Sequence, residues 1–398
     1  MSHAETIVRI AAKGDGVTDS GLHVKGAIPG DTVFSDGRIE AGPHRVSPAC
    51  SHFGVCGGCQ LQNADEETLA DFVTSRVLNA ASGQGLEPLQ PLETHLSPPH
   101  SRRRATLHAT RKGGGLVLGF RQGGSHRILN LEQCPVLAPE LADRLPALRK
   151  LIAQIGGSGA MDVSLALCDQ GVDVTLGNMG LDGLAATEAA LDYAQRSHAA
   201  RLSVDQGFGP ETVWEPEPVT VTLSGLPVPM PVGAFLQATH DAEARMVEDA
   251  RNWLRESGPV VDLFSGLGTF AFGLRTGRKV LAIEADRAAH LACKLAAARG
   301  AREVHALHRD LFRNPLKPDE LNRFGAALLD PPRAGAKAQI AQIAASELNR
   351  VVYVSCNPSS WSRDAATLVN AGFRLEKLRA IGQFRWSTHV ELASLFVR

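Results

Sequence analysis

The pattern of apolar and polar positions changes along the chain and is most regular in its last third. Short apolar runs that predict buried strands lie at 260–263, 280–283, 304–308, 326–329 and 351–354. Segments with helical periodicity lie between them, for example at 287–299 and 337–348. Strands and helices that alternate at this spacing predict a doubly wound, largely parallel sheet.

The first two thirds of the chain predict two further units. Between residues 5 and 45, short apolar segments alternate with Gly and Asp turns, which is typical of a small OB-like β-barrel. The next part is mixed, with helices predicted at 137–155 and 185–199 and paired strands at 163–167 and 172–176. A proline-dense stretch at 215–231 indicates a junction. We therefore predict an α/β protein with domains at 1–46, 47–230 and 231–398.

The composition of the chain also bears on the cellular compartment of the protein. The chain has 398 residues, of which 44% are hydrophobic, and this is typical of a soluble globular protein. No apolar run approaches the roughly 20 residues that cross a bilayer. The first residues lack the charged and apolar regions of a signal peptide. We expect a cytoplasmic protein that is not attached to a membrane.

The formal net charge of -1 provides no general attraction to a polyanion, so any nucleic acid must be bound by a local basic patch. The segment from His100 to Leu131 contains seven basic residues and no acidic residue. They are Arg102, Arg103, Arg104, Arg111, Lys112, Arg121 and Arg127. Such a run is more often a solvated surface than a binding site. A turn at 113–115 predicts a hairpin that carries this charge.

The stretch VVDLFSGLGT at 260–269 combines a strand with a Gly-x-Gly turn that opens a helix. Gly266 and Gly268 would let the backbone approach a ligand closely. Glu284 ends the next strand and could accept hydrogen bonds from ribose hydroxyls. The third glycine of the dinucleotide fingerprint is absent, and Asp262 suits a cationic amino-acid group better than a pyrophosphate. The pattern favours S-adenosylmethionine over NAD, with an ordinary α/β turn as the alternative.

Polar residues also follow the later strands. Asp310 closes the third strand and could reach an adenine, and Asp330 begins a rigid Asp-Pro-Pro loop that suits a planar base. Cys356 follows the strand at 351–354, just before an Asn-Pro stop. Ligands bind at the carboxyl ends of strands in open parallel sheets. Without other evidence, however, a free cysteine is more often a small buried apolar residue.

Four motifs, in this order, closely resemble those of the RNA (uracil-C5) methyltransferases. They are DLFSGLG at 262–268, DPPRAG at 330–335, SCNP at 355–358 and HVE at 389–391. The N-terminal module resembles the TRAM domain of that family. Thr269 stands where asparagine is frequent in the family, and Ser265 where cysteine is frequent.

The resemblance implies a class I methyltransferase domain of Rossmann-like fold. It implies that Cys356 is the nucleophile that adds to C6 of uracil and that Glu391 is the base that removes the C5 proton. A thiolate at C6 makes C5 nucleophilic enough to take a methyl group, and cysteine is also a good leaving group. The cofactor-binding residues are then Gln237, Phe264, Gly266, Gly268, Thr269, Glu284, Asp310 and Asp330.

Seven cysteines in a chain without a signal peptide argue against disulfides and for metal or catalytic use. Cys50, Cys56 and Cys59 are clustered, and with Cys134 they resemble the four-cysteine iron-sulfur site of one branch of the family. Four thiolates suit either zinc or a [4Fe-4S] cluster, and the resemblance favours the cluster. Cys168 and Cys293 lie in apolar segments and are expected in the core.

Three functions remain open at this point. The first is formation of 5-methyluridine in RNA, with 23S ribosomal RNA favoured and transfer RNA as the other substrate. The second is a non-catalytic RNA-binding protein, against which the intact Cys356, Glu391 and Gly-x-Gly motif argue. The third is a base-amino methyltransferase, which would have no need for Cys356. We expect a monomer in each case.

Overall fold

The computed structural model describes residues 4–112, 115–156, 159–274 and 277–398. Strands β1 to β21 in these ranges are Ala4–Ile10, Gly16–Thr18, His23–Val24, Thr32–Phe34, Ile39–Glu40, Gln90–Leu96, Arg104–Lys112, Gly115–Gly119, Met161–Cys168, Gly171–Gly177, Ala199–Asp205, Pro210–Trp214, Thr220–Leu223, Leu226–Pro229, Val260–Leu263, Val280–Glu284, Val304–His308, Ala326–Leu329, Arg350–Ser355, Arg374–Gly382 and Glu391–Val397. Helices α1 to α10 are Glu66–Ser82, Pro139–Ala142, Leu145–Ile155, Leu184–Arg196, His240–Trp253, Thr269–Gly273, Arg287–Arg299, Pro318–Leu321, Lys337–Ala344 and Pro358–Asn370.

The largest sheet has the strand order β17-β16-β15-β18-β19-β21-β20-β6. All neighbouring strands are parallel except β21, which is antiparallel to both β19 and β20. The predicted parallel sheet is confirmed, and the five predicted strands agree with β15 to β19 to within one residue at each end. Strand β6 joins this sheet from the range that was predicted to form the central domain.

Both faces of this sheet are buried. Alternate residues of a strand point to opposite sides, and each side packs against its own set of helices. Val260 and Leu328 belong to a core with helices α5, α6 and α7. Val261 and Leu329 belong to a second core with α1, α9 and α10. The result is a three-layer arrangement whose loops at the carboxyl ends of the strands are free to form a site.

The central sheet has the order β12-β11-β10-β9-β7-β8, and helices α3 and α4 pack on one of its faces. The helix predicted at 137–155 is two helices, α2 and α3, and Pro146 lies in the first turn of α3. Proline is favoured there because its missing N–H has no helical partner at that position. The helix predicted at 185–199 ends at Arg196, and Ala199 already begins β11.

The N-terminal strands form a barrel-like antiparallel sheet of order β3-β2-β1-β4-β5, with a small core of Ile7, Ala27 and Val33. The predicted basic hairpin is confirmed as β7 and β8, but residues 113 and 114 of its turn lie outside the described residues. Cys293 is buried as expected, whereas Cys168 is only partly buried. Throughout the described ranges, no helix is both long and apolar enough to cross a membrane.

We expect Gly325 to be required by close packing at the amino ends of β15 and β18. A Cβ atom at Gly325 would lie 2.6 Å from the backbone nitrogen of Gly258, whereas a Cβ at Gly258 would meet no atom closer than 4.0 Å. Gly325→Ala should therefore lower the free energy of unfolding by roughly 1–3 kcal/mol, as overpacking does. Gly258→Ala is the matched control and should change it much less. Equal denaturant midpoints for the two variants would contradict this account.

Candidate functional site

Four polar side chains meet at one edge of the large sheet because of its strand order. Asp330 follows β18 and Cys356 follows β19, so both lie at the carboxyl ends of parallel strands. Strand β21 runs in the opposite direction, and its first residue, Glu391, therefore lies at the same edge, paired with Ile381 of β20. Gln383 follows β20 there. Neighbouring strands lie about 4.8 Å apart, so these groups are close in space.

A chain of carboxamides joins the two carboxyl groups of this edge. Nε2 of Gln237 donates to Oδ2 of Asp330 at 2.9 Å. Nε2 of Gln383 donates to Oε1 of Glu391 at 2.6 Å and lies 3.4 Å from Oε1 of Gln237. Gln237, Gln383 and Glu391 are all nearly inaccessible to solvent. The loop before α5 is thereby tied to the ends of β18 and β20.

Burial shifts the proton affinity of both carboxyl groups. It raises the pKa of Glu391 to about 7, although the bond from Gln383 and the charges of Arg104 and Arg333 lower it. Burial and the nearby carboxyl of Glu391 raise the pKa of Asp330 well above its usual range. Since a group is an effective base when its pKa lies near the operating pH, Glu391 is suited to accept a proton.

The Cys356 thiol lies in the field of the same groups. Burial raises its pKa to about 11, and the carboxyl groups of Glu391 and Asp330 contribute in the same direction. Arg333 lowers it. The thiol is therefore protonated in the free protein at neutral pH, and forming a thiolate requires that the neighbouring negative charge be reduced or compensated.

The Gly-x-Gly turn after β15 serves two different purposes. Gly266 has a φ of 55°, and nothing lies within 4 Å of the position a Cβ would take. At Gly268 a Cβ would come within 2.6 Å of Phe272 and 2.9 Å of Cys293. Packing between α6 and α7 therefore also requires glycine at 268, and the role of both glycines in cofactor binding stays a prediction. Thr269 is the first residue of α6 and is partly buried.

Two acidic residues flank this turn. Glu284 accepts hydrogen bonds from the amides of Ala285 and Asp286 on Oε1 and of Gly266 on Oε2, at 2.7–2.8 Å, which leaves acceptor capacity on Oε2. Asp262 is fully buried, and neither of its oxygens accepts a hydrogen bond of ordinary geometry from the described residues. Burial raises the pKa of Asp262 to about 8, and the amide of Ala271 offsets this only in part.

The remaining predicted cofactor residues lie beside the same turn. Phe264 has a φ of 63°, a conformation that is strained for a bulky side chain, and its ring lies 5.3 Å from that of Phe312. Asp310 accepts from the amides of Phe312 and Arg313 at 2.9 and 3.3 Å. Strain of this kind persists only where surrounding structure holds it, and it is concentrated at ligand sites.

A cavity of about 860 Å³ opens beside the Cys356 thiol, between the large sheet and the central sheet. Cys356 and Glu391 line it, as do five arginines: Arg102, Arg104, Arg121, Arg333 and Arg385. The guanidinium of Arg104 lies 4.5 Å from the ring centre of Phe235, whose side chain is 61% exposed. Positive charge beside an exposed aromatic ring suits single-stranded nucleic acid, which offers phosphates and base faces.

The basic run of the sequence does not act as one surface. Arg103 is buried and forms an ion pair with Glu243, and its Nε donates to the carbonyl of Gln237 at 2.9 Å. Arg111 donates to the carbonyls of Ile152 and Ala153 near the end of α3. Only part of the run, including Arg102, Arg104 and Arg121, faces the cavity.

The four predicted metal ligands, Cys50, Cys56, Cys59 and Cys134, line the other end of the same cavity. Burial, together with the three other thiols nearby, raises the pKa of Cys59 to about 12. In the part of the chain that the structure describes, however, no group of three or more His, Cys, Asp and Glu side chains could hold a metal ion. The donor types suit a metal, but their arrangement here is not that of a metal site.

Two functional candidates, Gln383 and Arg333, were not recognised from the sequence, and a third, Arg104, was named only as part of the basic run. Gln383 carries no motif, and its hydrogen bond to Glu391 reveals it. Arg333 lies within the Asp-Pro-Pro-Arg motif, which could have indicated it, and Arg104 lies within the basic run. Their common feature is an effect on the charge of Glu391, which depends on contacts across the fold.

Known proteins share the sequence pattern and the fold of this chain. A family model described as tRNA (uracil-5-)-methyltransferase matches residues 228–398. An uncharacterised RNA methyltransferase of Zymomonas mobilis is 46% identical over 98% of this chain and 99% of its own length. A 23S rRNA (uracil(1939)-C(5))-methyltransferase of Vibrio vulnificus is 31% identical over 94% of this chain and 91% of its own. The solved tRNA (uracil-54, C5)-methyltransferase of Pyrococcus abyssi, in complex with S-adenosyl-L-homocysteine, has a TM-score of 0.76 and 18% identity, with all of both chains covered.

The burial of Asp262 predicts a specific pH dependence of stability. The folded protein holds this proton up to about pH 8, whereas the unfolded chain releases it near its ordinary pKa of 3.8. The free energy of unfolding should therefore fall as the pH rises from 4 to 8, because the unfolded state binds fewer protons in that range. Asp262→Asn keeps the size and removes the titration, so the variant should gain stability relative to the wild type across this window. Parallel pH profiles in urea denaturation would contradict the assignment.

Proposed function

Because the chain belongs to the tRNA (uracil-5-)-methyltransferase family of RNA methyltransferases, we propose that it methylates C5 of a uridine in RNA with S-adenosylmethionine as donor. The observation that carries the proposal is the placement of the Cys356 thiol and the Glu391 carboxyl at one strand edge, in one arginine-lined cavity. Substitution at C5 requires a nucleophile and a base close to each other, and both lie at this edge of the large sheet.

In the proposed reaction the Cys356 thiol first releases its proton to solvent. The thiolate sulfur then bonds to C6 of the uracil, and the electron pair of the C5–C6 double bond moves toward C5 and the O4 carbonyl. C5 then takes the methyl group, which the bound donor supplies as an electrophile. Glu391 removes the proton that remains on C5, and the electron pair of the C5–H bond re-forms the double bond as the Cys356 thiolate leaves. Splitting one difficult step into two in this way is the benefit of covalent catalysis.

The surrounding residues have supporting roles in this proposal. Arg333, which lowers the pKa of Cys356, favours the thiolate needed for attack. Gln383 donates to Glu391, so it both orients the carboxyl and limits the rise of its pKa. Gln237 and Asp330 present carboxamide and carboxyl groups that could bind the polar edge of a uracil or the donor.

The residues after β15 and β16 suit the donor. The buried carboxyl of Asp262 accepts no hydrogen bond of ordinary geometry from the described residues, so it would be stabilised by the cationic amino group of a bound amino-acid moiety. Glu284 retains acceptor capacity for ribose hydroxyls, and Gly266 leaves open space beside it. Phe264, Thr269 and Asp310 would line the rest of this site.

The arginines and Phe235 support RNA as the substrate, and the Vibrio vulnificus relative supports 23S ribosomal RNA. Transfer RNA is the other candidate, because the family model is named for it. A flipped or looped uridine would stack in the cavity while the arginines contact its phosphates. A non-catalytic RNA-binding protein would have no need for the buried Glu391 beside a thiol.

We propose further that the barrel-like N-terminal sheet is a TRAM-like RNA-binding module, followed by a central domain and by a methyltransferase domain from about residue 231. We also propose that Cys50, Cys56, Cys59 and Cys134 bind a [4Fe-4S] cluster, on the strength of their shared cavity. The arrangement of the described residues is not that of a metal site, so no step of the reaction is assigned to a cluster.

Replacing the two central residues should separate the steps of the reaction. Cys356→Ala should abolish methylation, and Glu391→Gln should form the covalent RNA adduct but release it at least about 10²-fold more slowly, the usual scale of general-base catalysis. Adduct is measured on denaturing gels. 5-Methyluridine is measured by mass spectrometry of ribosomal and transfer RNA. The RNA comes from cells that lack the native protein and are supplied with the wild type or with each variant. Multiple turnover by Cys356→Ala would refute the mechanism, and 5-methyluridine restored only in transfer RNA would refute the ribosomal substrate.

Elemental analysis tests the cysteine site. We expect protein purified without oxygen to contain about four iron and four sulfide per chain and to absorb near 400 nm. Cys59→Ser should lose the iron, whereas Cys168→Ser, which removes a thiol elsewhere in the fold, should keep it. Zinc without iron in the wild type would overturn the cluster in favour of a structural zinc site.

A further inference from the structure

The loop at 383–390 connects β20 to β21 and leads directly into Glu391. Residues outside the large sheet hold the middle of this loop. The amides of Gln60 and Leu61 both donate to the carbonyl of Trp386, at 2.8 and 3.0 Å. Trp386 has a φ of 61°, which is strained for an aromatic residue, so these bonds stabilise a conformation that the loop would not adopt by itself.

The side chain of Gln60 makes two more bonds. Its Nε2 donates to the carbonyl of Gly57, between Cys56 and Cys59, at 2.8 Å. Its Oε1 accepts from the amide of Thr388 at 3.3 Å. One residue therefore ties the cysteine segment to a point three residues before Glu391.

The N-terminal sheet completes this contact. Gly14 lies in the turn between β1 and β2, and a Cβ atom there would lie 2.8 Å from Cβ of Gln60 and 3.2 Å from Cγ2 of Thr388. The three residues Gly14, Gln60 and Thr388 thus form a junction in which the N-terminal sheet, the cysteine segment and the active-site loop are in direct van der Waals contact.

The junction is closely coupled to the site. Gln383, at the start of the loop, and Glu391, just after its end, are hydrogen-bonded to each other, so the loop is closed at its base and has few ways to absorb a shift at Thr388. Phe384, Arg385, Ser387, Thr388 and His389 of the loop also line the cavity. A displacement of the junction by a few tenths of an ångström would move the carboxyl of Glu391 relative to the Cys356 thiol.

We propose that Gln60 is a positioning residue and that the junction of Gly14, Gln60 and Thr388 sets the orientation of Glu391. The N-terminal sheet and the cysteine segment thereby control the proton-removal step. This inference rests on the proposed function, in which Glu391 takes the C5 proton. It assigns to two parts of the chain outside the methyltransferase fold a role in chemistry beyond any contact they make with RNA.

Gly14→Ala and Gly21→Ala form a matched pair for the test. Both glycines lie in turns of the N-terminal sheet, with φ values of 94° and 87°. The amide of each donates to the carbonyl three residues earlier, at 2.9 and 3.0 Å. An added methyl group strains both turns to a similar degree, but at Gly21 it meets nothing within 4 Å, whereas at Gly14 it presses on Gln60 and Thr388. Thermal unfolding of both variants checks that they fold equally.

Two RNA probes separate proton removal from the earlier steps. The first is an in vitro transcript of 23S ribosomal RNA, and the second is the same transcript made with 5-fluorouridine. Fluorine cannot leave C5 as a cation, so the fluorinated RNA stays bound to Cys356 whatever the state of the base. The rate of its adduct formation therefore reports only the steps before proton removal.

With the fluorinated RNA, Gly14→Ala should form adduct at the wild-type rate. With ordinary RNA, its turnover should fall about tenfold while adduct accumulates, and Gly21→Ala should behave like the wild type. Gln60→Ala removes side-chain bonds without adding atoms and should match Gly14→Ala. It should also increase hydrogen exchange in residues 384–389.

Equal turnover of Gly14→Ala and Gly21→Ala would overturn the inference. So would a parallel loss of fluorinated adduct and of turnover in Gly14→Ala and Gln60→Ala, because that would place the defect before proton removal. If the wild type itself forms no adduct with the fluorinated transcript, the proposed function fails on this RNA, and the inference fails with it.

Discussion

The position of β21, hydrogen-bonded between β19 and β20 and antiparallel to both, is the constraint on which the site depends. In a fully parallel sheet the first residue of this strand would lie at the opposite edge, far from Cys356. Reversal of one strand brings a strand start and two strand ends together, so a thiol, a carboxyl and a carboxamide meet without any long loop. The backbone ladder, rather than side-chain contacts, therefore sets the coarse geometry of the site.

Burial then adjusts the chemistry at that edge. Asp262, Asp330 and Glu391 all have a raised pKa because each is withdrawn from water, and nearby carboxyl groups raise the pKa of Asp262 and Asp330 further. The opposing charges come from Arg104 and Arg333. Carboxyl groups with a raised pKa keep their protons at higher pH than usual, and a bound cationic donor would compensate the negative charge that burial disfavours. These features fit alkyl transfer from a sulfonium to a pyrimidine.

The cavity also explains why the chain needs more than a methyltransferase fold. One wall comes from the large sheet with Cys356 and Glu391, and another comes from the central sheet, the basic hairpin and the cysteine segment. The buried ion pair of Arg103 with Glu243 fixes the hairpin against α5, so Arg104 is held over the site. An RNA base that enters this space contacts several parts of the chain at once, which provides binding energy that a single sheet edge could not supply.

Apolar periodicity and a short local motif were enough to predict the parallel strands and the Gly-x-Gly turn, because both depend on neighbouring residues. The candidates Cys356 and Glu391 came from the resemblance of short motifs to those of a known family. The three-dimensional packing was needed to show that Gly268 lies against Phe272 and Cys293, that Arg103 is buried in an ion pair, and that Gln383 bonds to Glu391. Each of these depends on contacts between residues that are distant in the chain or on opposite sides of a loop, and no local pattern encodes them. Periodicity reports which side of an element is buried, whereas the partner of a buried polar group is set by how the elements pack.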